Sequence, residues 1–277
     1  MNRPIRATLP SMKTRGLTSI YASAALLLAV ALSGCGGDDG GGGGGGDDGL
    51  GLVSEGRLTV CSDIPYRPFE YEEGGEYTGF DMDLMRSIAE NLDLELAVQD
   101  VGFDGLQSGA VLAAGQCDIA ASAMTITEER KENLDFSDPY YDSKQSLLVR
   151  TGSDISSIED LAGKRVGVQQ GTTGAAYARE NVPDDAEIIS FPSDAEIYPA
   201  IQADNVDAVL QDLPVNLDHT EGGEFEIVEE YETDEQYGFA VAKDQRDALL
   251  EAVNEELQNL RDSGEYQEIY DQYFATD

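Results

Sequence analysis

A loop and a single carboxylate occupy positions at which α/β proteins hold small ligands. The loop Gln170–Thr173, which contains Gly171 and Thr172, opens a predicted helix. Free backbone N–H groups at a helix start suit a carboxylate, whereas a phosphate loop is excluded because no Lys-Ser/Thr pair follows the glycine. Asp212 follows the predicted strand Val206–Leu210, at the carboxyl end where open α/β sheets place ligands. A solvated aspartate is its plainer interpretation in so acidic a chain.

Motifs for metal binding and for nucleophilic catalysis are absent from the sequence. His219 is the single histidine, and no cysteine pair has metal-ligand spacing, so we expect no metal and no cofactor. Neither a Gly-x-Ser-x-Gly elbow nor a Cys/His constellation is present. Asp81-Met82-Asp83 lacks the rest of a calcium loop. The many carboxylates could include a glycosidase pair, but the sequence does not show their separation.

The charge of the chain excludes two classes of partner. The 277 residues include 17 Lys and Arg against 55 Asp and Glu, so the formal net charge is −38. A surface this negative repels phosphate backbones, which excludes sequence-independent nucleic-acid binding. Adhesion to anionic lipid through a basic patch is excluded for the same reason. Hydrophobic residues make up 41% of the chain, which is enough for a packed core.

The first part of the chain has the pattern of a secretory signal peptide. Basic residues and no acids precede an apolar run from Ala22 to Leu32. The run is shorter than the about 20 apolar residues of a transmembrane helix. It ends in Leu32-Ser-Gly-Cys35, which is similar to a bacterial lipobox; an ordinary signal peptide with a chance cysteine is the alternative. We expect a signal peptide over 1–34, a lipid-modified Cys35 at the outer face of the cell membrane, and a flexible Gly/Asp tether over 35–54.

Beyond the tether, strand patterns alternate with helix patterns, which predicts an α/β fold with mostly parallel sheets. Asp81 is a plausible N-cap of the first helix, Pro199 should kink or shorten its helix, and Gly264 suits a helix stop. The predicted strands are Arg57–Ser62, Leu94–Val98, Cys117–Ala121, Lys164–Val168, Glu187–Phe191 and Val206–Leu210. One predicted helix begins near Asp81, and the others cover Thr173–Asn181, Ala195–Ala203, Gln245–Arg261 and Tyr266–Phe274.

Five stretches, in order from about residue 55 to the C-terminus, resemble the family of extracytoplasmic polar-amino-acid-binding proteins that serve ABC importers. They are DIPYRPFE from Asp63, GFDMDL from Gly79, AMTITEER from Ala123 with DFSDPYY from Asp135, DLAGK from Asp160 with GVQQGTT from Gly167, and QYGFAV from Gln236. The resemblance implies the two-lobed type II periplasmic-binding-protein fold. Lobe 1 would comprise 55–142 and 237–277, lobe 2 would comprise 145–235, and the two crossing hinge segments would lie near Tyr141–Lys144 and Gln236.

The resemblance also implies how the site would bind the two charged groups of a free amino acid. Arg130 would grip the α-carboxylate with its planar guanidinium, although it could instead be a surface arginine paired with the two preceding glutamates. Asp212 would take the α-ammonium. Thr125 and the backbone around Ala123 would add carboxylate and ammonium contacts. The loop residues Gly171, Thr172 and Thr173 would hold the carboxylate with their N–H groups.

Four further residues would recognise the ligand side chain, as the same resemblance implies. Tyr66 and Phe103 match the aromatic walls of the family, and either could be plain core. Asp63 lies where the family reads the far end of the ligand, and a carboxylate there favours a cationic or amide side chain. Gln169 is a second, neutral specificity position. The stretch Asp104–Gly115 is longer than the commonest family spacing and could extend a helix or bulge a loop beside the pocket.

The function implied is a lipid-anchored, monomeric, extracytoplasmic protein without catalytic residues. It would capture a polar amino acid, cationic or amide type favoured, and deliver it to ABC permease subunits. A dehydratase-type enzyme on the same fold is one alternative. A ligand-sensing domain is the other, and the absence of a second apolar span in the sequence counts against it.

The two cysteines beyond the lipobox are predicted to remain unbridged. The resemblance sets Asp63 and Ala123 at one height on neighbouring parallel strands, and Cys61 is then level with Ala121. Cys117 lies four residues lower, which at about 3.3 Å per residue is about 13 Å. That distance exceeds the about 7 Å between Cα atoms that a disulfide spans. We therefore expect two free, moderately buried thiols, although two cysteines outside the cytoplasm usually suggest a bridge.

Overall fold

The computed structural model describes residues 49–275, and they form two lobes, each a five-stranded sheet with flanking helices. The predicted signal peptide, the lipobox cysteine Cys35 and the tether up to residue 48 lie outside the described residues. Within residues 49–275, none of the helices has the length and apolar character that a membrane span requires.

The described part of the chain contains twelve strands and eight α-helices. The strands are β1 Arg57–Ser62, β2 Tyr71–Glu73, β3 Glu76–Thr78, β4 Glu95–Asp100, β5 Ile119–Ala120, β6 Leu134–Phe136, β7 Tyr141–Arg150, β8 Arg165–Gln169, β9 Glu187–Phe191, β10 Ala208–Asp212, β11 Phe225–Tyr237 and β12 Ala240–Ala242. The helices are α1 Phe80–Asn91, α2 Phe103–Gln107, α3 Ala110–Ala113, α4 Thr173–Asn181, α5 Ile197–Gln202, α6 Leu213–Asp218, α7 Asp247–Ser263 and α8 Glu265–Phe274. Three 3₁₀ turns cover Arg130–Glu132, Ile158–Leu161 and Asp194–Glu196.

Lobe 1 is the sheet with strand order β4-β1-β5-β12-β6, covered by α1, α7 and α8. β1 pairs in parallel with β4 and β5, while β12 runs antiparallel to β5 and β6. Leu249, Val253, Leu257 and Leu260 form the buried stripe of α7, as its 3.6-residue period predicts. The stretch 104–115, longer than the commonest family spacing, forms α2 and α3, separated at Gly109 with a φ of 75°.

Lobe 2 is the sheet with strand order β11-β7-β10-β8-β9. β8 pairs in parallel with β9 and β10, whereas β7 runs antiparallel to β10 and β11. Both sheets are therefore mixed rather than mostly parallel. Parallel pairs need a crossover connection, and strands joined through helices form these pairs. The antiparallel pairs in each sheet come from strands outside the strand–helix alternation.

The chain passes between the lobes in two segments that pair with each other. The start of β7 and the end of β11 form an antiparallel ladder, in which Tyr141, Asp142 and Ser143 pair with Tyr237, Gln236 and Glu235. The two strands run on into the sheet of lobe 2. Because the connection is a hydrogen-bonded ribbon rather than two loose loops, its side chains are held in place at the junction of the lobes.

Most of the predicted elements are present, with two local differences. β1, β9 and α4 have the predicted bounds. Asp81 is not the N-cap of α1, since the helix starts at Phe80 after Gly79 and the Asp81 side chain is buried. Pro199 lies in the first turn of the short helix α5, where its missing N–H leaves no helix bond unmade. The predicted shortening of that helix is confirmed.

The prediction of two unbridged cysteines is wrong. Cys61 and Cys117 form a disulfide with their Cα atoms 5.8 Å apart, and both are buried. Cys61 pairs with Ala120 rather than Ala121, and β5 begins only at Ile119. Asp118 N–H donates to Thr59 C=O and Ala121 N–H to Cys61 C=O, so three steps of this segment match two steps of β1. The segment is therefore not uniformly extended, and the assumed rise per residue does not apply to it.

Candidate functional site

A narrow cavity of about 10 Å³, room for about one water molecule, lies between the lobes. Ten of the eleven residues that the sequence proposes as ligand contacts line the cavity. The lining consists of Asp63, Tyr66, Phe103, Ser122, Ala123, Thr125, Arg130, Gln169, Thr172, Thr173 and Asp212. Gly171 is not among the lining residues, and Ser122 lines the cavity without having been predicted.

The lining residues lie where strands end. In lobe 1, Asp63 follows β1, Ala123 follows β5 and Arg130 opens the 3₁₀ turn beyond it. In lobe 2, Gln169 ends β8 and Asp212 ends β10. The carboxyl ends of parallel strands meet at one edge of a sheet, and ligand sites of open α/β sheets lie outside that edge. Each lobe therefore presents its strand-end edge to the cavity.

Arg130 is a buried cation and not a surface arginine. Only 5% of the residue is exposed, and its guanidinium donates to Thr125 C=O at 2.7 Å and to Gly171 C=O at 3.1 Å. The second bond crosses from lobe 1 to lobe 2. Its Cζ lies 5.2 Å from the centre of the Phe103 ring, within cation–π range. Burial lowers the pKa of Arg130, and the carboxylates of Asp212 and Glu235 oppose that shift.

Asp212 is a buried acid held by three donors. It accepts hydrogen bonds from Tyr237 Oη at 2.5 Å, Tyr66 Oη at 2.9 Å and Gln145 Nε2 at 2.5 Å. Burial, together with the neighbouring Glu235, raises the pKa of Asp212 to about 7, although the three hydrogen bonds oppose the shift. A cation placed beside Asp212 would favour its ionised form, because an opposite charge lowers the pKa of a carboxyl.

Asp63 and Gln169 meet across the other end of the cavity. Gln169 Nε2 donates to Asp63 Oδ2 at 2.5 Å, and both residues are buried. Burial raises the pKa of Asp63 to about 6, against the opposing bond from Gln169. This pair joins lobe 1 to lobe 2 directly, so a ligand side chain placed between the two residues would replace a hydrogen bond that the protein makes to itself.

The predicted threonines differ in what they do. Thr172 caps α4: its Oγ1 accepts from Ala175 N–H at 3.0 Å and donates to Gln169 C=O at 2.8 Å. Thr125 and Thr173 lie 3.4 Å apart across the lobes. Gly171 has a φ of 79°, a left-handed conformation in which glycine is least strained, and its contribution is the carbonyl that accepts from Arg130.

Buried polar groups behind the cavity were missed by the sequence reasoning. Glu70, fully buried, accepts from Ser122 Oγ at 2.7 Å. Asp81 accepts from Ala123 N–H at 2.9 Å and from Tyr140 Oη at 2.7 Å. Burial raises the pKa of Asp81 to about 7. Glu70 and Asp81 both lie inside motifs that carry the family resemblance, which was a usable signal.

Glu235 and Gln145 were also missed, and they connect the two threonines to Asp212. Gln145 Nε2 donates to Glu235 Oε1 at 2.9 Å as well as to Asp212. Glu235 is the last of a run of acids from Glu229 onward, so nothing in the residue types separates it from its solvated neighbours. Within residues 49–275, no group of His, Cys, Asp and Glu is placed to hold a metal ion.

Two sheet-and-helix lobes, joined by a paired two-stranded connection around one internal cavity, define the type II periplasmic-binding-protein class. Residues 58–276 match the bacterial extracellular solute-binding proteins, family 3. Because this match covers well over half of the chain, the protein belongs to that family.

Relatives of known name share most of the chain. The probable histidine-binding protein of Neisseria gonorrhoeae is 33% identical over 263 residues, covering 92% of this chain and 94% of that protein. The ABC transporter glutamine-binding protein GlnH of Bacillus subtilis (strain 168) is 35% identical over 206 residues, covering 73% and 75%. An ancestral arginine-binding protein bound to arginine has a TM-score of 0.75 and 35% identity, covering 79% of this chain and 99% of that chain.

Proposed function

We propose that the protein captures a polar amino acid, of cationic or amide type, in the cavity between its lobes and delivers it to an ABC importer. The observation that carries this proposal is the pairing of Arg130 with Asp212 on opposite lobes of one buried cavity. A free amino acid presents a carboxylate and an ammonium, and these two side chains offer the complementary charges.

The fold supports capture by closure. In this proposal lobe 1 comprises 55–142 and 237–277, lobe 2 comprises 145–235, and the ribbon at Tyr141–Ser143 and Glu235–Tyr237 is the hinge. Hydrogen bonds already join the lobes at both ends of the cavity, from Arg130 to Gly171 and from Gln169 to Asp63. A ligand that replaces these bonds with stronger charge-assisted ones would favour the closed state.

The Asp63–Gln169 end supports the ligand class. A carboxylate paired with an amide accepts a cationic or amide side chain and opposes a second carboxylate. The relatives described above carry histidine, glutamine and arginine in their names or complexes, which fits this class. The same excess of acids disfavours a dehydratase acting on an acid with two carboxylates, since Arg130 is the cation among the described residues that line the cavity. We propose binding rather than catalysis.

Membrane attachment is the second part of the proposal. Leu32-Ser-Gly-Cys35 directly after the apolar run supports a lipid on Cys35, with 35–54 as the tether that lets the monomer reach its permease. Expression of the full chain and of its Cys35→Ser variant in a bacterium tests this. We expect wild type in the membrane fraction and the variant released; release of both would refute the anchor and leave ligand binding unaffected.

A thermal-shift screen of residues 35–277, with Cys35→Ser, against the twenty amino acids tests the ligand. A ligand at about 100 times its Kd adds about 2.7 kcal/mol of stability, which for a protein of this size raises Tm by about 5–10 °C. We expect arginine, lysine, histidine or glutamine to give that shift. Glutamate alone giving it would reverse the ligand class, and no shift with any amino acid would overturn the proposed function.

A pair of aspartate variants locates the ligand in the cavity. Asp63→Asn should reduce the shift given by a cationic ligand more than the shift given by glutamine, because only the cation loses a charge partner. Asp154→Asn is the matched control, since Asp154 is exposed in lobe 2 and pairs with Lys164. Equal effects of the two variants would place the ligand elsewhere.

A further inference from the structure

Glu235 is a buried carboxylate that contacts both lobes from the connecting ribbon. It lies near the end of β11, and 8% of it is exposed. Its Oε2 accepts hydrogen bonds from Thr125 Oγ1 of lobe 1 and from Thr173 Oγ1 of lobe 2, each at 2.7 Å. Both threonines line the cavity, whereas Glu235 is not among the lining residues. Glu235 therefore reaches the ligand space only through these two hydroxyls.

The two hydroxyls have one proton each, and Glu235 takes both. A threonine hydroxyl offers one O–H donor and two acceptor lone pairs, while an ionised carboxylate only accepts. Once Thr125 and Thr173 donate to Glu235, what they present to the cavity is lone pairs. Lone pairs bind an ammonium and repel a carboxylate.

The second oxygen of Glu235 is held in place by Gln145. Gln145 Nε2 donates to Glu235 Oε1 at 2.9 Å and to Asp212 Oδ1 at 2.5 Å, which uses both protons of the amide. The amide is confined on its other side, because a Cβ built on Gly174 would lie 2.7 Å from Gln145 Oε1. Reversing the amide would bring its oxygen against two carboxylates, so the orientation of Gln145 is fixed by charge.

The backbone of Ala123 likewise offers a ligand an acceptor rather than a donor. The N–H of Ala123 donates to Asp81 at 2.9 Å, so the group that Ala123 has left for a ligand is its carbonyl. Acceptors thus gather at one end of the cavity, from Ala123, Thr125, Thr173 and Asp212. The guanidinium of Arg130 and the N–H groups at the start of α4 are the donors that remain for a carboxylate.

We propose that Glu235 is a positioning residue, which holds the hydroxyls of Thr125 and Thr173 as acceptors and thereby assigns both to the α-ammonium of the ligand. The inference rests on the proposed function, in which the ligand is a free amino acid. It assigns Thr125 and Thr173 to one charged group of that ligand, although the resemblance left Thr125 between the two and gave Thr173 to the carboxylate.

The Glu235→Gln variant breaks this arrangement whichever way the new amide lies. If its oxygen faces the threonines, its NH₂ group faces the NH₂ group of Gln145, and two donors oppose each other. If its NH₂ faces the threonines, their hydroxyls turn and direct protons into the cavity. Glu232→Gln is the matched control, since it removes the same charge from an exposed position on the same strand, where Glu232 pairs with Lys144.

The test compares ligands with and without the α-ammonium. Calorimetry would measure L-arginine and L-glutamine against guanidinovalerate and glutaramate, which are the same molecules without the α-amino group. We expect Glu235→Gln to weaken the amino acid by about tenfold or more, equivalent to about 1.4 kcal/mol. The deamino compound should change by less than about threefold, and Glu232→Gln should leave all of them near wild type.

Melting temperatures give a second readout that needs no ligand. Thr125→Val removes the hydrogen bond to Glu235, and Glu235→Gln weakens or breaks the same bond, so their double variant should lose less than the sum of the two single losses. Strictly additive losses would overturn the inference. So would equal weakening of amino acids and deamino compounds, or tighter binding by Glu235→Gln, which would make Glu235 a competitor of the ligand carboxylate. If wild type binds none of the twenty amino acids, the proposed function fails and the ammonium assignment with it.

Discussion

The two lobes stabilise their sides of the cavity by different means. Lobe 1 is braced behind the site by the Cys61–Cys117 disulfide and by packed rings such as Phe80 and Phe274, whose centres are 5.1 Å apart. Lobe 1 also has buried acids in Glu70 and Asp81, whereas lobe 2 has no cysteine and relies on a chain of buried polar groups. Gln211 donates to Asp194 at 2.7 Å and to the hydroxyl of Tyr198 at 3.1 Å, and the chain continues through Asn216 and Ser146.

This difference matters because the charges differ as well. Lobe 1 contributes the cation Arg130, already bonded to two backbone carbonyls. Lobe 2 contributes Asp212 and Asp194, and burial raises the pKa of each to about 7. Removing a charge from water is costly unless the charge is paired. We infer that Arg130 of lobe 1 is already held in place by the protein, whereas Asp212 of lobe 2, which lines the cavity, gains most from a bound cation.

The largest expected effect is the loss of the lobe 1 cation. Arg130→Ala should weaken amino-acid binding by about 2–5 kcal/mol, because it removes a buried, hydrogen-bonded charge facing the ligand carboxylate. Calorimetry on variant protein that keeps its wild-type circular dichroism measures this. The exposed Arg150→Ala is the control. Binding within about threefold of wild type would mean that Arg130 serves only to tie Thr125 to Gly171.

The next effect concerns the Cys61–Cys117 disulfide of lobe 1. Replacing Cys61 and Cys117 together by serine should lower the free energy of unfolding by about 2–4 kcal/mol, since the bridge closes a loop with a sequence separation of 56. Urea unfolding with and without reductant measures it, and non-reducing mass spectrometry should show the linked peptide. Unchanged stability would mean that the disulfide does not stabilise lobe 1, and the lobes would not differ in this respect.

Removing the acid of lobe 2 should have a smaller effect on affinity. Asp212→Asn keeps the shape but loses a charge-assisted bond to the ammonium, which we expect to weaken binding by about 1.5–3 kcal/mol. The unliganded variant should be at least as stable as wild type at pH 8, because a desolvated carboxylate is removed. Loss of stability together with affinity would instead show that Asp212 is needed for the fold.

Affinity should also depend on pH through this acid. With its pKa raised to about 7, Asp212 holds a proton at pH 5 that an ammonium must displace. Amino-acid affinity should therefore rise between pH 5 and pH 8, by about tenfold or more for a single linked proton. In Asp212→Asn this rise should be reduced, and an unchanged profile would assign the linkage to another acid such as Asp63.

The sequence predicted the secondary-structure elements and the cavity to different extents. Helical and strand periodicity located β1, β9 and α4 because each buries one face or both against a sheet. The long connecting strand β11 was missed, since its run of acids shows no simple alternation and its position comes from pairing with β7.

The site shows the same division. Residues inside family motifs, such as Arg130 and Asp212, gather at the cavity, whereas Glu235 and Gln145 act through hydrogen bonds that only the folded chain brings together. The disulfide was missed because the segment around β5 is not uniformly extended. The Cα atoms of Cys61 and Cys117 therefore lie 5.8 Å apart, rather than the about 13 Å that a regular register gives.

The last test asks whether the acids of lobe 2 are held at a cost to stability. The carboxyl of Asp194, 4% exposed, has a pKa raised from 3.8 to about 7, chiefly by burial. Between these pH values the folded protein holds a proton that the unfolded chain has released, so the unfolding free energy falls as pH rises through this window. Asp194→Asn keeps an oxygen to accept from Gln211 but does not titrate.

The stability of Asp194→Asn relative to wild type should therefore increase with pH. Because one pKa unit corresponds to about 1.4 kcal/mol, the two units between pH 5 and a pKa of about 7 give an expected relative gain of about 2–3 kcal/mol between pH 5 and pH 8, measured by urea unfolding without ligand. The exposed Asp154→Asn is the control for general charge repulsion in so acidic a chain. An equal gain in both variants would mean that net charge causes the pH dependence, and the inference that the buried acids of lobe 2 are held at a cost would then be wrong.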